Sequence, residues 1–122
     1  MSVDYEKNRY YLRILGFWQK TSEVPDYLVD TKEITESLSP GFTCLDDNRE
    51  AKTPTPEIME KIHPVALRIM NKAGLEKIAM VFDKEIIKIA GTRVAREGSM
   101  EEQTRQFDDI KKAEEWLDGK DV

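Results

Sequence analysis

The stretch Phe42-Thr43-Cys44-Leu45-Asp46-Asp47, read on through Thr55-Pro56-Glu57-Ile58-Met59 to Ile78-Ala79-Met80-Val81-Phe82-Asp83, decides the fold class. Phe42 to Leu45 is a short apolar run suited to a buried strand, and Asp46, Asp47, Asn48, Arg49 and Glu50 read as the solvated loop after it. Thr55 is placed to cap a helix that opens on Pro56, where a missing N–H costs nothing. From there Ile58, Met59, Ile62, Val65, Ala66, Ile69, Met70 and Ala73 form one apolar stripe, which Gly74 closes. Pro64 falls inside the stripe, and the spacing predicts a single kinked helix with Pro64 on its polar face, between Lys61 and Arg68. Ile78 to Phe82 is apolar without alternation, as expected of a parallel strand with helices above and below the sheet.

Working outward, residues 3–18 alternate as a β-hairpin does, with Glu6-Lys7-Asn8 as the turn and Gly16 near the far end. Ser22 to Leu38 is amphipathic: Val24, Tyr27, Leu28, Thr31, Ile34, Thr35 and Leu38 share one side, while Asp26, Asp30, Glu33 and Ser37 take the other. Thr21 or Ser22 would cap that helix, with Pro25 in its first turn, and Pro40-Gly41 would end it. Beyond Asp83 a further helix is expected to carry Ile86, Ile87, Ala90 and Val94 inward, to show Lys84, Lys88, Thr92 and Arg96 outward and to stop at Gly98. Glu102 to Phe107 suits an edge strand, and Asp108 or Asp109 would cap a closing helix that turns Ile110, Ala113, Trp116 and Leu117 inward and ends at Gly119. The expected order is β-β-α-β-α-β-α-β-α in one domain spanning residues 1–122.

At 122 residues, with 39% hydrophobic and 35% charged residues, the chain has the material for a globular core. No apolar run reaches the roughly 20 residues of a membrane span, and the opening residues lack the apolar centre of a signal peptide, so the expectation is a cytoplasmic protein. Cys44 stands alone, which excludes an internal disulfide and leaves it as a small buried hydrophobe. The net charge of −5 disfavours nucleic acid. Charge is uneven, however: between Arg68 and Arg96 seven Lys or Arg stand against Glu76, Asp83 and Glu85. Within this region Lys84, Lys88, Arg93 and Arg96 form a candidate basic face for an acidic protein or, peripherally, a lipid headgroup.

Four landmarks in this order resemble the STAS-like group, small bacterial domains related to sporulation anti-sigma-factor antagonists and similar to CRAL-TRIO-type lipid-transfer domains. They are Tyr11 to Trp18 around Gly16; Ser39-Pro40-Gly41-Phe42 leading to a strand that ends at Asp46; Ile78 to Asp83; and Phe107-Asp108-Asp109 followed by Ala113-Glu114-Glu115-Trp116-Leu117. The likeness covers nearly the whole chain. It implies an α/β fold with a mixed, mostly parallel sheet of four to five strands and about four helices, used as a non-enzymatic regulatory or protein-interaction module. The family's Asp-Ser-Ser-Gly-type phosphorylation loop is missing here; Thr55, and after it Thr53, occupies the equivalent helix start, so the loop with Asp46, Asp47, Thr53 and Thr55 becomes the candidate switch or partner loop.

Three other constellations carry chemistry in principle. Asp46, Asp47 and Asp83 at neighbouring strand ends would offer oxygen ligands to a hard cation, although strand-end aspartates serve equally as solvated loop residues. His63, the only histidine, has no nucleophile or carboxylate at a readable distance and is read as structural. Tyr10, Tyr11, Phe17 and Trp18 cluster at one end of the hairpin. With Tyr27 on the next helix, Phe17 and Trp18 would line a pocket for a small apolar or lipid-like molecule. No nucleophile stands beside a base and no phosphate-cradling glycine loop occurs, so neither an enzyme nor a cofactor is expected. The polar edge at Glu102 to Gln106 leaves room for a homodimer.

Overall fold

The computed structural model describes residues 2–16, 26–52 and 55–120. In chain order the elements are β1 (Ser2–Asp4), β2 (Arg9–Gly16), α1 (Tyr27–Glu36), β3 (Thr43–Ala51), α2 (Pro56–Lys61), α3 (His63–Lys72), β4 (Lys77–Val81), α4 (Glu85–Glu97), β5 (Thr104–Phe107) and α5 (Ile110–Leu117). The strands form one sheet in the order β1-β2-β3-β4-β5, antiparallel for β1 and β2 and parallel thereafter. This is the mixed, mostly parallel α/β class. Because sequence neighbours are sheet neighbours, every right-handed crossover drops its helix on the same side. Tyr10, Leu12, Cys44, Ile78 and Met80 accordingly pack into one core with residues of α1, α2, α3 and α4. Among the described residues the opposite face is covered by α5, through Leu45, Ala79, Val81 and Phe107 against Ala113 and Leu117.

Local chemistry explains most element ends. The hairpin turns at Asn8, which takes a positive φ of 53° and exchanges two hydrogen bonds of 3.0 Å with the backbone of Ser39. Thr55 caps α2 by accepting from the Ile58 amide, and Asp109 caps α5 by accepting from the Lys111 and Lys112 amides. Gly74 at φ +106° ends α3: its N–H donates to Asn71 O and that of Leu75 to Met70 O, the paired bonds of a left-handed helix stop. A side chain there would also strike Pro40, whose Cα stands 2.8 Å from where a Cβ would sit.

Several expectations need correction. Asp46 to Glu50 are not a loop: β3 continues through them to Ala51, paired with β2 and, as far as Asp47, with β4. Backbone bonding to β2, and to β4 as far as Asp47, holds them extended, and Asp47 offsets its charge by accepting from Arg49, two residues on along the strand, at 2.8 and 2.9 Å. The register slips here, Arg13 facing Asp47 while Leu15 faces Glu50, which marks a bulge. The single kinked helix is instead two, α2 and α3, broken at Ile62 (φ −110°, ψ −63°), with Pro64 buried in the first turn of α3 rather than exposed. A proline at a helix start loses no hydrogen bond, so the break removes the cost of keeping it. Ile86 and Ile110 are exposed, not inward. α4 does stop at Gly98, as expected, and the positive φ of 58° falls on the following residue, Ser99. Helices do lie on both sides of the sheet, but four segments share one side. The expected Thr21 or Ser22 cap, Pro25 and the residues 17–25 lie outside the described residues.

Candidate functional site

Beneath the four helical segments of the crowded face lies a cavity of about 50 Å³, floored by Leu12, Ile14, Asp46 and Asn48 of the sheet. Tyr27 enters it from α1, Met59 from α2, His63 and Met70 from α3, and Gly91 from α4. The position is the carboxyl half of β2 and β3, the end of a parallel sheet where open α/β folds gather ligands. At 10–15 Å³ for each water, the space holds about four small heavy atoms, an order below the several hundred Å³ of a lipid-sized pocket.

Alternation along β3 sends Cys44 and Asp46 to this face and Leu45 and Asp47 to the other. Asp46 therefore stands at the floor of an apolar chamber, and its Oδ1 is sealed from solvent with no hydrogen-bond partner. Burial, with a smaller push from Asp47, raises its pKa to about 7, against the pull of the nearby Asn48 side chain. Burial also lowers His63 to about 4, so the imidazole is neutral at ordinary pH; its ring stands edge-on to Tyr27 at 6.2 Å. The same burial holds the Cys44 thiol and the Tyr27 phenol well above their usual range, leaving both protonated and unreactive. The Tyr10 hydroxyl is a second sealed polar atom without a partner.

Of the candidate pocket residues only Tyr27 lies within the described residues, and it lines the cavity; Phe17 and Trp18 lie outside them. Tyr10 and Tyr11 do not cluster: consecutive on β2, they point to opposite faces, Tyr10 into the main core and Tyr11 toward α5. The candidate loop is divided as well. Asp46 and Asp47 sit inside β3 on opposite faces, Thr55 caps α2, and Thr53 lies outside the described residues. The trio of aspartates therefore does not converge, and among the described residues no three of His, Cys, Asp and Glu come together as metal ligands.

Three of the four basic residues share a surface. Lys84 precedes α4, and Lys88, Arg93 and Arg96 line a shallow groove along its outer side together with Glu85, Ile89 and Thr92. Arg93 donates to Glu97 at 3.0 Å, and Lys88 lies 5.4 Å above the Phe82 ring. Reading the sequence missed the apolar part of this surface: Ile86 is 57% exposed and Ile89 62%. The available signal was their spacing of three, which turns both to one side and away from buried Ile87 and Val94.

Fold and sites together define a small α/β sheet protein with a partly open, acid-floored cavity and a basic, apolar-edged helix face. No protein family, curated protein or solved structure matches the chain. Among the described residues no helix is long and apolar enough to cross a membrane.

Proposed function

We infer that the protein is a non-enzymatic regulatory or interaction module of STAS-like type, which binds a protein partner through the outer face of α4. The observation that carries this reading is the exposed pair Ile86 and Ile89, one helical turn apart, with Lys88, Arg93 and Arg96 in the groove beside Ile89. A lone exposed isoleucine is ordinary. Two on one ridge, with three cations beside them in a chain of net charge −5, are complementary to an apolar strip rimmed by acids. A membrane fits less well, because α4 already spends its broad apolar side on the core and only a narrow ridge is left for lipid. The sequential parallel sheet and the Thr55-capped helix after β3 are in keeping with the STAS-like resemblance, although a fold alone does not transfer a function. Thr55 stays the candidate modification position, where a phosphate would meet the free amides of the helix start.

The test compares immobilised wild type with Ile86→Gln/Ile89→Gln in extract of the source organism, using cross-linking mass spectrometry to locate contacts. A protein held by wild type, cross-linked to α4 and released by the double variant supports the reading. Retention by the variant overturns it, as does binding of wild type to anionic vesicles or to a second copy of itself through this face.

A further inference from the structure

The groove on α4 is lined by Glu85, Lys88, Ile89, Thr92, Arg93 and Arg96. Positions three and four apart are neighbours on a helix surface, so this set divides into two lozenges: Glu85, Lys88, Ile89 and Thr92, then Ile89, Thr92, Arg93 and Arg96. Each has the four-residue outline of the hole that receives one side chain of a facing helix. The second hole follows the first by four residues, about 6 Å along the axis, which is the separation of two side chains one turn apart on another helix. We propose that the occupant of this face is an acidic amphipathic helix of a protein partner, lying alongside α4 with two apolar side chains, one turn apart, seated in the two holes. The inference rests on the reading that α4 is the partner-binding face, and it adds the kind of element that binds there.

Three observations select that occupant. The first is relief. Thr92 is the smallest of the six residues, belongs to both holes and stands between the longer Lys88, Arg93 and Arg96. It is exposed, and its hydroxyl already donates to the Lys88 carbonyl at 3.1 Å, so the centre of the groove suits an apolar tip. The second is charge. Three cations and one acid line the groove, and the acid, Glu85, lies at the start of α4. Arg93 shares its charge with Glu97 at 3.0 Å, which leaves Lys88 and Arg96 as the main attraction for carboxylates. The partner's acids should therefore flank the side chain that enters the second hole. The third is shape. A small molecule in so shallow a groove would remain mostly in water. An extended segment would find no sheet edge for its backbone groups, whereas a helix brings them already paired. Ile86, one turn before Ile89 and exposed like it, adds apolar contact once the two helix axes lie about 8–10 Å apart.

The probe is a capped peptide of about 18 residues, constrained as a helix, with two leucines one turn apart flanked by glutamates. Of two controls, one replaces the glutamates by lysines and the other moves one leucine to the opposite side. Protein labelled at the isoleucine methyls is titrated with each at low salt. The acidic helix should shift Ile86 and Ile89 and leave Ile58 and Ile78, both fully buried, unmoved. Each control should bind about tenfold more weakly or worse. Thr92→Phe fills both holes and should lose about tenfold as well, while Thr92→Ala keeps them open and should bind within about threefold of wild type. Thr92 is exposed, so neither change threatens the fold. The proposal is overturned if the acidic helix shifts neither isoleucine at concentrations on the order of 5 mM, if either control binds equally, or if Thr92→Phe binds as wild type does. Its failure is separable from that of the reading beneath it. A partner cross-linked to α4 and released by Ile86→Gln/Ile89→Gln, yet held by Thr92→Phe, keeps the face and removes the helix. A partner held equally by both variants removes the face itself.

Discussion

Arg9, only 2% exposed, donates from Nε to the Thr43 hydroxyl at 2.8 Å across the junction of β2 and β3. Its two terminal nitrogens reach past the sheet to α5, meeting Asp118 at 2.9 Å and Glu114 at 3.2 Å. Glu114 also accepts from the Tyr11 hydroxyl and from Lys7. One buried guanidinium therefore fastens α5 to its side of the sheet, and its planar fork suits three acceptors lying in different directions.

Replacing Arg9 by Ala should cost about 3 kcal/mol, since Thr43 and two carboxylates lose their shared donor at once. Asp118→Asn should cost under about 1 kcal/mol, because Asp118 is partly exposed and water takes over. Urea midpoints of the two variants measure the difference; equal losses would show that Arg9 acts mainly by packing. Arg9 also holds the Asp118 carboxyl below its ordinary range. That contribution is present above about pH 4 and is lost as pH falls through the folded-state value.

Asp46 and His63 bend stability in opposite directions over one pH window. Folded Asp46 keeps its proton up to about pH 7, while the unfolded chain releases it near 3.8; the folded state binds more protons between these values, so stability falls as pH rises. Folded His63 takes a proton only near pH 4, while the unfolded chain takes it near 6.5, so its contribution is lost on acidification. Each change is on the order of 2 kcal/mol, reduced from the full conversion of the shifts because both side chains are only partly enclosed. The wild type should therefore have a shallow profile between about pH 4 and 7. Asp46→Asn should be the more stable protein above pH 7 and should lose stability steadily on acidification. His63→Phe should gain on acidification instead. Denaturant melts at four pH values would expose the error if both variants tracked the wild type.

Ser99 and Gly98 exchange the roles that composition assigns them. Ser99 holds the left-handed conformation after α4, with its N–H bonded to Arg96 O and that of Met100 to Ala95 O. Gly98 has an ordinary φ of −83°, but a Cβ there would come within 3.0 Å of Leu67 Cβ. Ser99→Gly should stabilise by about 0.5–1 kcal/mol, because the backbone strain of a side chain at positive φ disappears. Gly98→Ala should destabilise by roughly 1–3 kcal/mol through crowding of α3 against α4. Thermal unfolding of both variants decides it, and stabilisation by Gly98→Ala would refute the packing account.

Periodicity carried most of the fold, and its failures have local causes. Ile78 to Val81 announce a doubly covered strand because nothing polar interrupts them, and Tyr27, Thr31 and Thr35 announce the buried side of α1, with buried Leu38 just past its end. Asp46 was lost because Asp-Asp-Asn-Arg-Glu has the composition of a loop. Only the alternation begun at Cys44 and Leu45 places its side chain on the crowded face, and composition outweighs a two-residue pattern. Ile86 reads as inward because four apolar positions close together resemble one stripe, whereas Ile87 and Val94 are buried and Ala90 partly so. The Gly91 Cα lies so near the sheet that a Cβ would stand 2.6 Å from Gln106 Nε2. The cavity itself was not legible, since it depends on how α1, α3 and α4 meet over the strands, and no residue type encodes that distance.

The exposed isoleucines give the last prediction. Ile86 and Ile89 bury little and touch no part of the core, so converting both to Gln removes scarcely any stabilising area. Gln is also at least as good a helix former as Ile, which lacks χ1 freedom against the preceding turn. Ile86→Gln/Ile89→Gln should therefore lie within about 0.5 kcal/mol of wild type for each site in urea unfolding and should stay soluble at higher concentration. Ile87→Ala, one position away but buried, should cost about 2–5 kcal/mol. If the double Gln variant unfolded as early as Ile87→Ala, the two isoleucines would belong to the fold, and the outer side of α4 would lose its claim to be a surface kept for a partner.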